Sequence, residues 1–529
     1  MKNLCLVFSL VVLLFSNHLS AATKTFVYCS EGSPSIFNPQ LATDGATYNV
    51  TRQIYNRLVE FKPGETEIIP ALAESWKVSK DNLTFTFKLR KGVKFHTTKE
   101  FTPTRDFNAD DVIFTFDRAR SKANPFNKVS GGTYEYFESM EMGKLIKDIK
   151  KVDDYTVEFV LNKQEAPMLA NLAMDFASIT SKEYADKMLA GKTPEKLDTF
   201  PVGTGPFVFS SYQKDTMIRL EKFSQFFRGA AKLDKIVYLI TVDANVRTQK
   251  LKAGECHLIA EPAPADLASL KTTKGLSVFS RPGMNVGYLA FNTQKKPFDN
   301  VLVRQAISHA INKKALIDAI YLGNAEVAKN PLPPTIWSYN KSTKDYDYNP
   351  EKAKELLKKA GFEKGFETDL WTLPVSRPYL PNGKKAGELM QADLAKVGIK
   401  AKLITYDWPT YLDKSGKGEH QMLQMGWSGD NGDPDNFMFV LLACAGVEAG
   451  SNRSRWCHAP FDKLVTDAKQ TIDVKKRTEL YKKAQDVFIQ QAPFISLAHS
   501  VIFRAASSKL KNYKIDPFGG EYFERLDLE

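Results

Sequence analysis

Apolar and polar positions alternate with a period of two in several segments of the chain. Thr84–Leu89 and Thr156–Leu161 show this alternation, which predicts strands with one buried face. Residues 25–29 read as a strand as well, and a strand-rich stretch runs from residue 207 to residue 241. Residues 32–45 are rich in Gly, Pro and Asn, which indicates a loop after the first of these strands.

Helix-start signals precede three segments with apolar stripes. The stripes are Val112, Phe114 and Phe116 after the candidate N-cap Asn108, Leu356 and Leu357 after Asn349, and Leu480, Ala484, Val487 and Phe488 after Asp473. Pro350 at the first helical position and Gly361 beyond the last turn support the second helix. Strands and helices without regular alternation predict an α/β protein with lobes of mixed topology. The chain has no internal repeat and no long flexible linker, so we expect tightly packed lobes.

The N-terminus has a different pattern. Residues 4–15 form an apolar run after Lys2, and this run is too short for the ~20 residues that a membrane-spanning helix needs. The small residues Ser20, Ala21 and Ala22 follow it as a candidate cleavage site. The sequence therefore predicts a secretory signal peptide over residues 1–22, cleaved after Ala22, and removal of 22 of the 529 residues leaves 507.

The length and composition indicate more than one domain, and the basic net charge raises the possibility of nucleic-acid binding. The length of 529 residues exceeds one ordinary domain, and 43% apolar residues are typical of a core-forming protein. The formal net charge is +12, or +11 once Lys2 is removed with the signal peptide. A basic balance can indicate nucleic-acid binding. Here the lysines of residues 80–99 and 344–364 are interleaved with acids, which predicts a solvated surface and no nucleic-acid partner.

Four cysteines remain after export: Cys29, Cys256, Cys444 and Cys457. An even number in an oxidising compartment predicts two disulfides, although four cysteines allow three pairings. Cys444 and Cys457 are 13 residues apart, and closing a loop of that size stabilises a protein by about 3 kcal/mol. Pairing these two leaves Cys29–Cys256 as the second bond. A metal site at Cys444, Cys457 and His458 is the alternative, but it lacks a closely spaced pair of thiolates.

The sequence contains none of the short motifs that mark common catalytic sites. A zinc-protease His-Glu-x-x-His, a Gly-x-Ser-x-Gly and a phosphate-binding Gly-x-x-x-x-Gly-Lys-Ser/Thr are all missing from it. Asp430, Asp433 and Asp435 resemble the start of a calcium loop, but the twelfth position is Leu441 instead of Glu. We therefore predict a protein that is not an enzyme, with no cofactor and no metal.

Nine short blocks are distributed along the chain. They are YCSEGSP at 28–34, YNRLVE at 55–60, LAESW at 72–76, FKLRKGVKFH at 87–96, NADDVIFTFDR at 108–118, GTGPF at 203–207, NVGYL at 285–289, KKPF at 295–298 and VRQA at 303–306. In this order they resemble the extracytoplasmic peptide-binding proteins of ABC importers, the solute-binding proteins of family 5. The resemblance covers the predicted mature chain with its four cysteines, and within the family it is strongest to the members that bind dipeptides.

The resemblance implies an α/β fold with two lobes of mixed sheets, an additional small domain and a ligand enclosed between hinged lobes. The first lobe would be discontinuous, formed by residues 23–56, 204–286 and 501–529. The small domain would comprise residues 57–203, and the second lobe residues 287–500. Each of the two disulfides would then lie inside one lobe, so neither would prevent hinge motion.

The resemblance also implies two charged residues that bind the ends of a peptide. A free dipeptide carries an ammonium and a carboxylate, and burying either without a partner costs several kcal/mol. In dipeptide-binding members the ammonium is bound by an Asp in a Gly-Trp-x-Gly-Asp-Asn-Gly-Asp-Pro-Asp-Asn motif, which matches residues 426–436 and assigns this role to Asp430. The carboxylate is bound by the Arg of a Pro-x-x-Arg-Pro-Tyr segment, which matches residues 374–379 and assigns this role to Arg377.

Neighbouring residues of these motifs receive supporting roles. We expect Tyr379 and Trp427 to form apolar walls of the site and Gly432 to allow close backbone approach. Taken alone, an Asp before Asn-Gly is typical of a turn and an Arg before Pro is typical of a surface charge. Their places inside two family motifs favour the binding roles. Asp44 lies in a loop near the cleft and differs from the residue pattern that the family usually has there. The preference for particular peptide side chains is therefore left open.

The implied function is that of a soluble, monomeric periplasmic receptor that delivers dipeptides to an ABC permease in the inner membrane. A chemoreceptor is a further partner that this type of receptor can serve. The alternatives are the same scaffold with another cargo, such as haem, glutathione or a longer peptide, and an exported peptide hydrolase or chaperone. A longer peptide would place its carboxylate beyond the reach of Arg377, so we expect selection by length.

Overall fold

The computed structural model of the protein describes residues 23–529, and the predicted signal peptide lies outside the described residues. The strands are β1 (Thr25–Ser30), β2 (Val59–Phe61), β3 (Ile68–Pro70), β4 (Ala73–Val78), β5 (Thr84–Leu89), β6 (Ile146–Asp153), β7 (Thr156–Leu161), β8 (Phe207–Gln213), β9 (Met217–Lys222), β10 (Lys235–Ile240), β11 (Leu258–Ile259), β12 (Leu276–Pro282), β13 (Asn285–Phe291), β14 (Ala325–Val327), β15 (Phe366–Trp371), β16 (Ile399–Ile404), β17 (Met422–Ser428), β18 (Phe494–Ser507), β19 (Leu510–Lys511) and β20 (Asp527–Leu528). The α-helices are α1 (Gly45–Thr51), α2 (Ala109–Arg120), α3 (Glu135–Ser139), α4 (Met142–Leu145), α5 (Met168–Leu172), α6 (Lys182–Ala190), α7 (Lys196–Thr199), α8 (Ala244–Lys252), α9 (Leu267–Thr272), α10 (Val301–Ala310), α11 (Lys313–Tyr321), α12 (Pro350–Lys359), α13 (Gly383–Ala395), α14 (Trp408–Gly416), α15 (Asp435–Leu442), α16 (Ala445–Ala449), α17 (Ala459–Gln470) and α18 (Val474–Gln491).

The strands and helices predicted from periodicity are confirmed. β5 and β7 have the predicted bounds, and β1, β8 and β10 occupy the other strand-like segments. Asn108 caps α2 by accepting the Asp110 N–H at 3.0 Å, and Asp111 accepts the Asn108 N–H at 3.0 Å to complete a capping box. The side chains of Asn349 and Asp473 cap α12 and α18 in the same position. Local signals were sufficient here because each cap satisfies backbone groups of its own helix.

One sheet of twelve strands runs through both lobes. Its order is β16-β15-β17-β13-β18-β11-β1-β10-β9-β8, and β12 and β14 also pair with β18. Strand β18 belongs to both lobes, because its first half pairs with β13 and its second half pairs with β12. The chain crosses between the lobes inside β18 and again between β12 and β13, where the Gly283 N–H donates to the Ser500 carbonyl at 3.0 Å. These crossings lie beside the boundaries expected near residues 286 and 500, which stay a prediction.

A four-stranded antiparallel sheet, β4-β5-β7-β6, packs with α2 within residues 57–203, and this unit is called the small domain below. Its bounds stay a prediction. Its core contains the buried rings of Phe87, Phe116 and Phe159, with Phe116 and Phe159 edge to face at 5.0 Å. This domain also contacts the second lobe. The buried ammonium of Lys469 lies 3.2 Å from the carboxylate of Glu165, and helix α3 packs against α16. Residues of the small domain can therefore reach the space between the lobes.

Both expected disulfides are present in the structure. Cys29 and Cys256 have Cα atoms 5.9 Å apart, and Cys444 and Cys457 have Cα atoms 4.6 Å apart, both normal spacings for the bond. The metal alternative at Cys444 and Cys457 therefore lacks its thiolates. Within residues 23–529 no three His, Cys, Asp or Glu side chains gather as a metal-binding group, and no helix is long and apolar enough to cross a membrane.

Candidate functional site

A cavity of about 110 Å³ lies between the two lobes. Its lining includes Glu31 and Glu261 of the first lobe, Tyr136 of the small domain, and Arg377 and Asp430 of the second lobe. Glu31 directly follows β1, and Asp430 comes shortly after β17. Crevices beyond the carboxyl ends of strands are the usual ligand sites of open α/β sheets. The structure thus brings both predicted charged residues to one enclosed space.

Arg377 is held in a tight turn that is attached to the hinge strand. Its backbone N–H and carbonyl form hydrogen bonds with Leu380 at 3.3 and 3.0 Å. The hydroxyl of Ser500, in β18 at the lobe crossing, donates to the carbonyl of Pro378 at 2.6 Å. The position of this arginine is therefore linked to the strand that connects the lobes.

The guanidinium of Arg377 forms an ion pair with Glu31 from the other lobe. It also lies over the ring of Trp408, with the guanidinium carbon 4.9 Å from the ring centroid. Burial opposes the charge of Arg377, but Glu31 outweighs this and raises the pKa of the arginine. Burial likewise opposes the charge of Glu31, and Arg377 lowers the pKa of that carboxyl below its usual value. Both groups are therefore charged, and the Nη2 atom of Arg377 has no hydrogen-bond partner within the described part of the chain.

The loop that carries Asp430 is fixed by the side chain of Asn436. The amide oxygen of Asn436 accepts the backbone N–H of Asp430 and the indole N–H of Trp427, each at 2.9 Å. The N–H of Gly429 donates to the carbonyl of Met284 at 2.7 Å, which attaches the loop to the segment between the lobes. These bonds hold the backbone of the loop that carries the carboxylate of Asp430.

The carboxylate of Asp430 has no cationic partner within 4 Å among residues 23–529. It accepts a hydrogen bond from the hydroxyl of Tyr136 in the small domain. Burial raises the pKa of Asp430 to about 7. The Tyr136 hydrogen bond and the charge of Arg52, which lies beyond 4 Å, oppose this shift, and the charge of Asp175 adds to it. A ligand cation placed here would supply the counter-charge that the protein leaves out.

Two facing glycines make room for Tyr379. Gly287 of β13 and Gly426 of β17 are directly opposite each other in the sheet. A Cβ atom on Gly426 would lie 2.1 Å from the ring of Tyr379, and one on Gly287 would lie 2.2 Å from the Tyr379 carbonyl oxygen. Tyr379 therefore sits flat against the sheet and lines the cavity, and Trp427 lines it too, with its ring centroid 5.7 Å from that of Tyr136.

Gly432, Asp433 and Asp44, which the sequence analysis also named, have structural roles in their loops. Gly432 does not line the cavity in the described structure; a Cβ atom there would contact Thr66 at 3.6 Å. Asp433 accepts the Asp435 N–H at 2.9 Å and forms an ion pair with Arg477 at 2.7 Å. Its charge therefore stabilises the loop and attaches it to helix α18. Asp44 lines the cavity, but its side chain caps α1.

Sequence reasoning missed the residues that face the two motif residues across the cavity. Glu31 and Tyr136 are the principal examples, and Glu261 forms an ion pair with Arg504 at 2.8 Å. Burial raises the pKa of Glu261 to about 7 in spite of Arg504. Glu31 had one usable signal, since it is an acid directly after a buried strand at the start of a Gly-rich loop. Tyr136 had none, because nothing local distinguishes it from a core tyrosine.

Comparison with known proteins agrees with this architecture. Residues 67–449, more than half of the chain, match the family model "Bacterial extracellular solute-binding proteins, family 5 Middle". The chain is 55% identical to the dipeptide-binding protein of Escherichia coli (strain K12), with 96% of each chain covered. It is 51% identical to heme-binding protein A of Haemophilus influenzae, with 96% of this chain and 93% of that one covered.

A crystal structure of the dipeptide-binding protein from Pseudoalteromonas sp. SM9913, in complex with Met-Leu, superimposes with a TM-score of 0.93. It is 41% identical, and the match covers 96% of this chain and 100% of that one. The predicted family and the predicted two-lobed α/β fold are thereby confirmed. The chain belongs to the bacterial extracellular solute-binding proteins of family 5.

Proposed function

We propose that the protein is a periplasmic receptor that captures dipeptides between its lobes and delivers them to an ABC permease in the inner membrane. The observation that carries the proposal is one cavity lined by both the cation Arg377 and the carboxylate of Asp430, which has no ion-pair partner within 4 Å among residues 23–529. Free dipeptides have the matching pair of charges. The identity to the dipeptide-binding protein of E. coli and the fold shared with the complex of Met-Leu support the same cargo.

Binding exchanges contacts at both ends of the cavity. The peptide carboxylate competes with Glu31 for Arg377, whose planar fork suits a second carboxylate. The peptide ammonium takes the place of the Tyr136 hydroxyl at Asp430 or joins it there, and it stabilises the ionised form of Asp430. Glu31 and Tyr136 lie outside the second lobe, so each exchange affects a contact that holds the lobes together. This links occupancy to the closed shape that a permease or a chemoreceptor recognises.

The experiment is to incubate protein purified from an exporting strain with an equimolar library of dipeptides, tripeptides and tetrapeptides. Bound ligands are then released and identified by mass spectrometry. Retention of intact dipeptides in preference to longer peptides supports the proposal and the selection by length. Recovery of cleaved products supports the exported hydrolase instead. Retention of longer peptides or glutathione alone contradicts the dipeptide assignment.

Haem is the second candidate cargo, because heme-binding protein A of H. influenzae is 51% identical to this chain. Tyr48, Tyr136, Tyr288 and Tyr379 line the cavity and offer phenolic oxygens, and Arg377 could pair with a propionate. The cavity of about 110 Å³ requires the lobes to open for such a ligand. A haem titration followed by visible absorbance tests it. Saturable one-to-one binding that a dipeptide displaces supports haem as a cargo of the same site, and a featureless titration excludes it.

A further inference from the structure

A second cavity, of about 420 Å³, lies beside the one described above. Arg52 lines both cavities, so its side chain lies at the partition between them. The second cavity is formed by residues 52–64, Pro206 and the C-terminal segment 512–525. Its volume is within the range of ~300–1,000 Å³ found for small-molecule sites. None of the residues assigned to the peptide termini lines it.

The lining of this second cavity carries an excess of positive charge. The cations are Arg52, Arg57, Lys514 and Arg525, and the acids are Glu60 and Glu524. Both acids have a partner in Arg228, outside the lining. Arg52 and Arg57 are paired as well, with the carboxylate of Asp175, which also lies outside the lining. Lys514 and Arg525 are exposed and have no carboxylate within 4 Å in the part of the chain described. The cavity is therefore electrostatically suited to an anion.

The walls between these charges are aromatic or apolar. They are formed by Tyr55, Phe61, Pro63, Pro206, Tyr513 and Tyr522. The guanidinium of Arg52 stacks on Tyr522, with its carbon 5.3 Å from the ring centroid. These walls therefore suit a flat, apolar or aromatic body.

We infer that this second cavity binds a small organic anion with an aromatic body, an aromatic carboxylate being the simplest case. The aromatic body packs between Phe61 and the tyrosines, and the carboxylate faces Lys514 and Arg525. The site is separate from the dipeptide site, so both ligands bind at the same time.

The test uses equilibrium dialysis of the full exported protein with indole-3-acetate and with its neutral analogue indole-3-acetamide. We expect wild type to bind the acid and to bind the amide at least about tenfold more weakly, because the amide lacks the charge. The double variant Lys514→Ala/Arg525→Ala should lose about tenfold in affinity for the acid. Lys509→Ala, a nearby exposed lysine outside the lining, should bind as wild type does.

Three results would overturn the inference. They are no binding of the acid at about 1 mM, equal binding by the double variant, and displacement of the acid by saturating Ala-Phe. The last result would place the probe in the dipeptide cavity. Ala-Phe binding is measured on the same samples and should be unchanged in Lys514→Ala/Arg525→Ala. A failure of this second site is thus distinguishable from a failure of the dipeptide proposal.

Discussion

The two ends of the cavity between the lobes hold their charges in different ways. At one end, Arg377 has a buried counter-ion, Glu31, from the opposite lobe. At the other end, the carboxylate of Asp430 accepts a hydrogen bond from the neutral hydroxyl of Tyr136 and has no counter-ion within 4 Å in the described part of the chain. Accordingly, Arg377 and Glu31 hold each other in the charged form, whereas the pKa of Asp430 rises to about 7. Of the two charges proposed to bind the peptide ends, Arg377 therefore has a counter-ion and Asp430 has none within 4 Å among residues 23–529.

This difference indicates what each end contributes to binding. A carboxylate that reaches Arg377 replaces another carboxylate, so the net gain is the difference between two similar interactions. An ammonium that reaches Asp430 supplies a missing counter-charge in a low-dielectric site, where such pairs are strong. We therefore expect affinity to depend more on the ammonium end. The carboxylate end selects ligands and couples their binding to the contact between the lobes.

The largest expected effect is on stability, at the Arg377 end. Arg377→Met removes the partner of buried Glu31, and an unpaired buried charge typically destabilises a protein by ~3–5 kcal/mol. The free energy of unfolding from urea denaturation should fall by this amount. The double variant Glu31→Gln/Arg377→Met should recover most of the stability while still binding dipeptide poorly. A single variant as stable as wild type would show that Glu31 is not held by Arg377.

At the other end, Asp430→Asn should affect binding instead of stability. Losing the charge that pairs with the ammonium typically costs ~2–5 kcal/mol, or roughly 30- to 5,000-fold in affinity for Ala-Phe. The free energy of unfolding should not fall, because the variant removes a half-buried charge that has no cationic partner within 4 Å among residues 23–529. Isothermal titration calorimetry and urea denaturation measure the two quantities. Asp413→Asn, on the exposed face of α14, is the matched control and should change neither.

Removing a disulfide should lower the stability of the protein without changing how either end of the cavity binds a peptide. Replacing Cys444 and Cys457 with Ala should lower the free energy of unfolding by about 3 kcal/mol. The affinity for Ala-Phe should stay within about threefold of wild type, a change below ~1 kcal/mol. A thiol assay on the denatured, unreduced wild-type protein should detect no free thiol. One or more free thiols per chain would contradict the assignment of two disulfides.

The smallest effect is a pH dependence that belongs to one end alone. A bound ammonium favours ionised Asp430, so the pKa of this carboxyl falls below about 7 on binding. The affinity is therefore greatest above the pKa of the unliganded protein, about 7. It decreases as the pH falls through that value, by about tenfold between pH 7.5 and pH 6. Asp430→Asn should flatten this dependence. Calorimetry across the range checks it, and an equally steep loss in the variant would assign the titration to another group.

Whether a feature could be predicted from the sequence depends on how far apart along the chain the interacting residues lie. The caps at Asn108 and Asn349 were predictable because their partners lie within one helical turn. Arg377 and Asp430 were identified through family motifs, and both line the cavity. Their partners could not be found this way, because Glu31 and Tyr136 are 346 and 294 residues away along the chain. The motif also could not show that Gly432 faces Thr66 and not the cavity.

The role of the two charges is tested most directly by calorimetry on wild type, Asp430→Asn and Arg377→Met. Each protein is titrated with free, N-acetylated and C-amidated Ala-Phe. We expect acetylation to abolish binding to wild type but to add little further loss in Asp430→Asn. Amidation should weaken binding to wild type by less than acetylation does, and it should add little further loss in Arg377→Met. If both variants bind the free dipeptide within about threefold of wild type, a difference below ~1 kcal/mol, these residues do not bind the peptide ends.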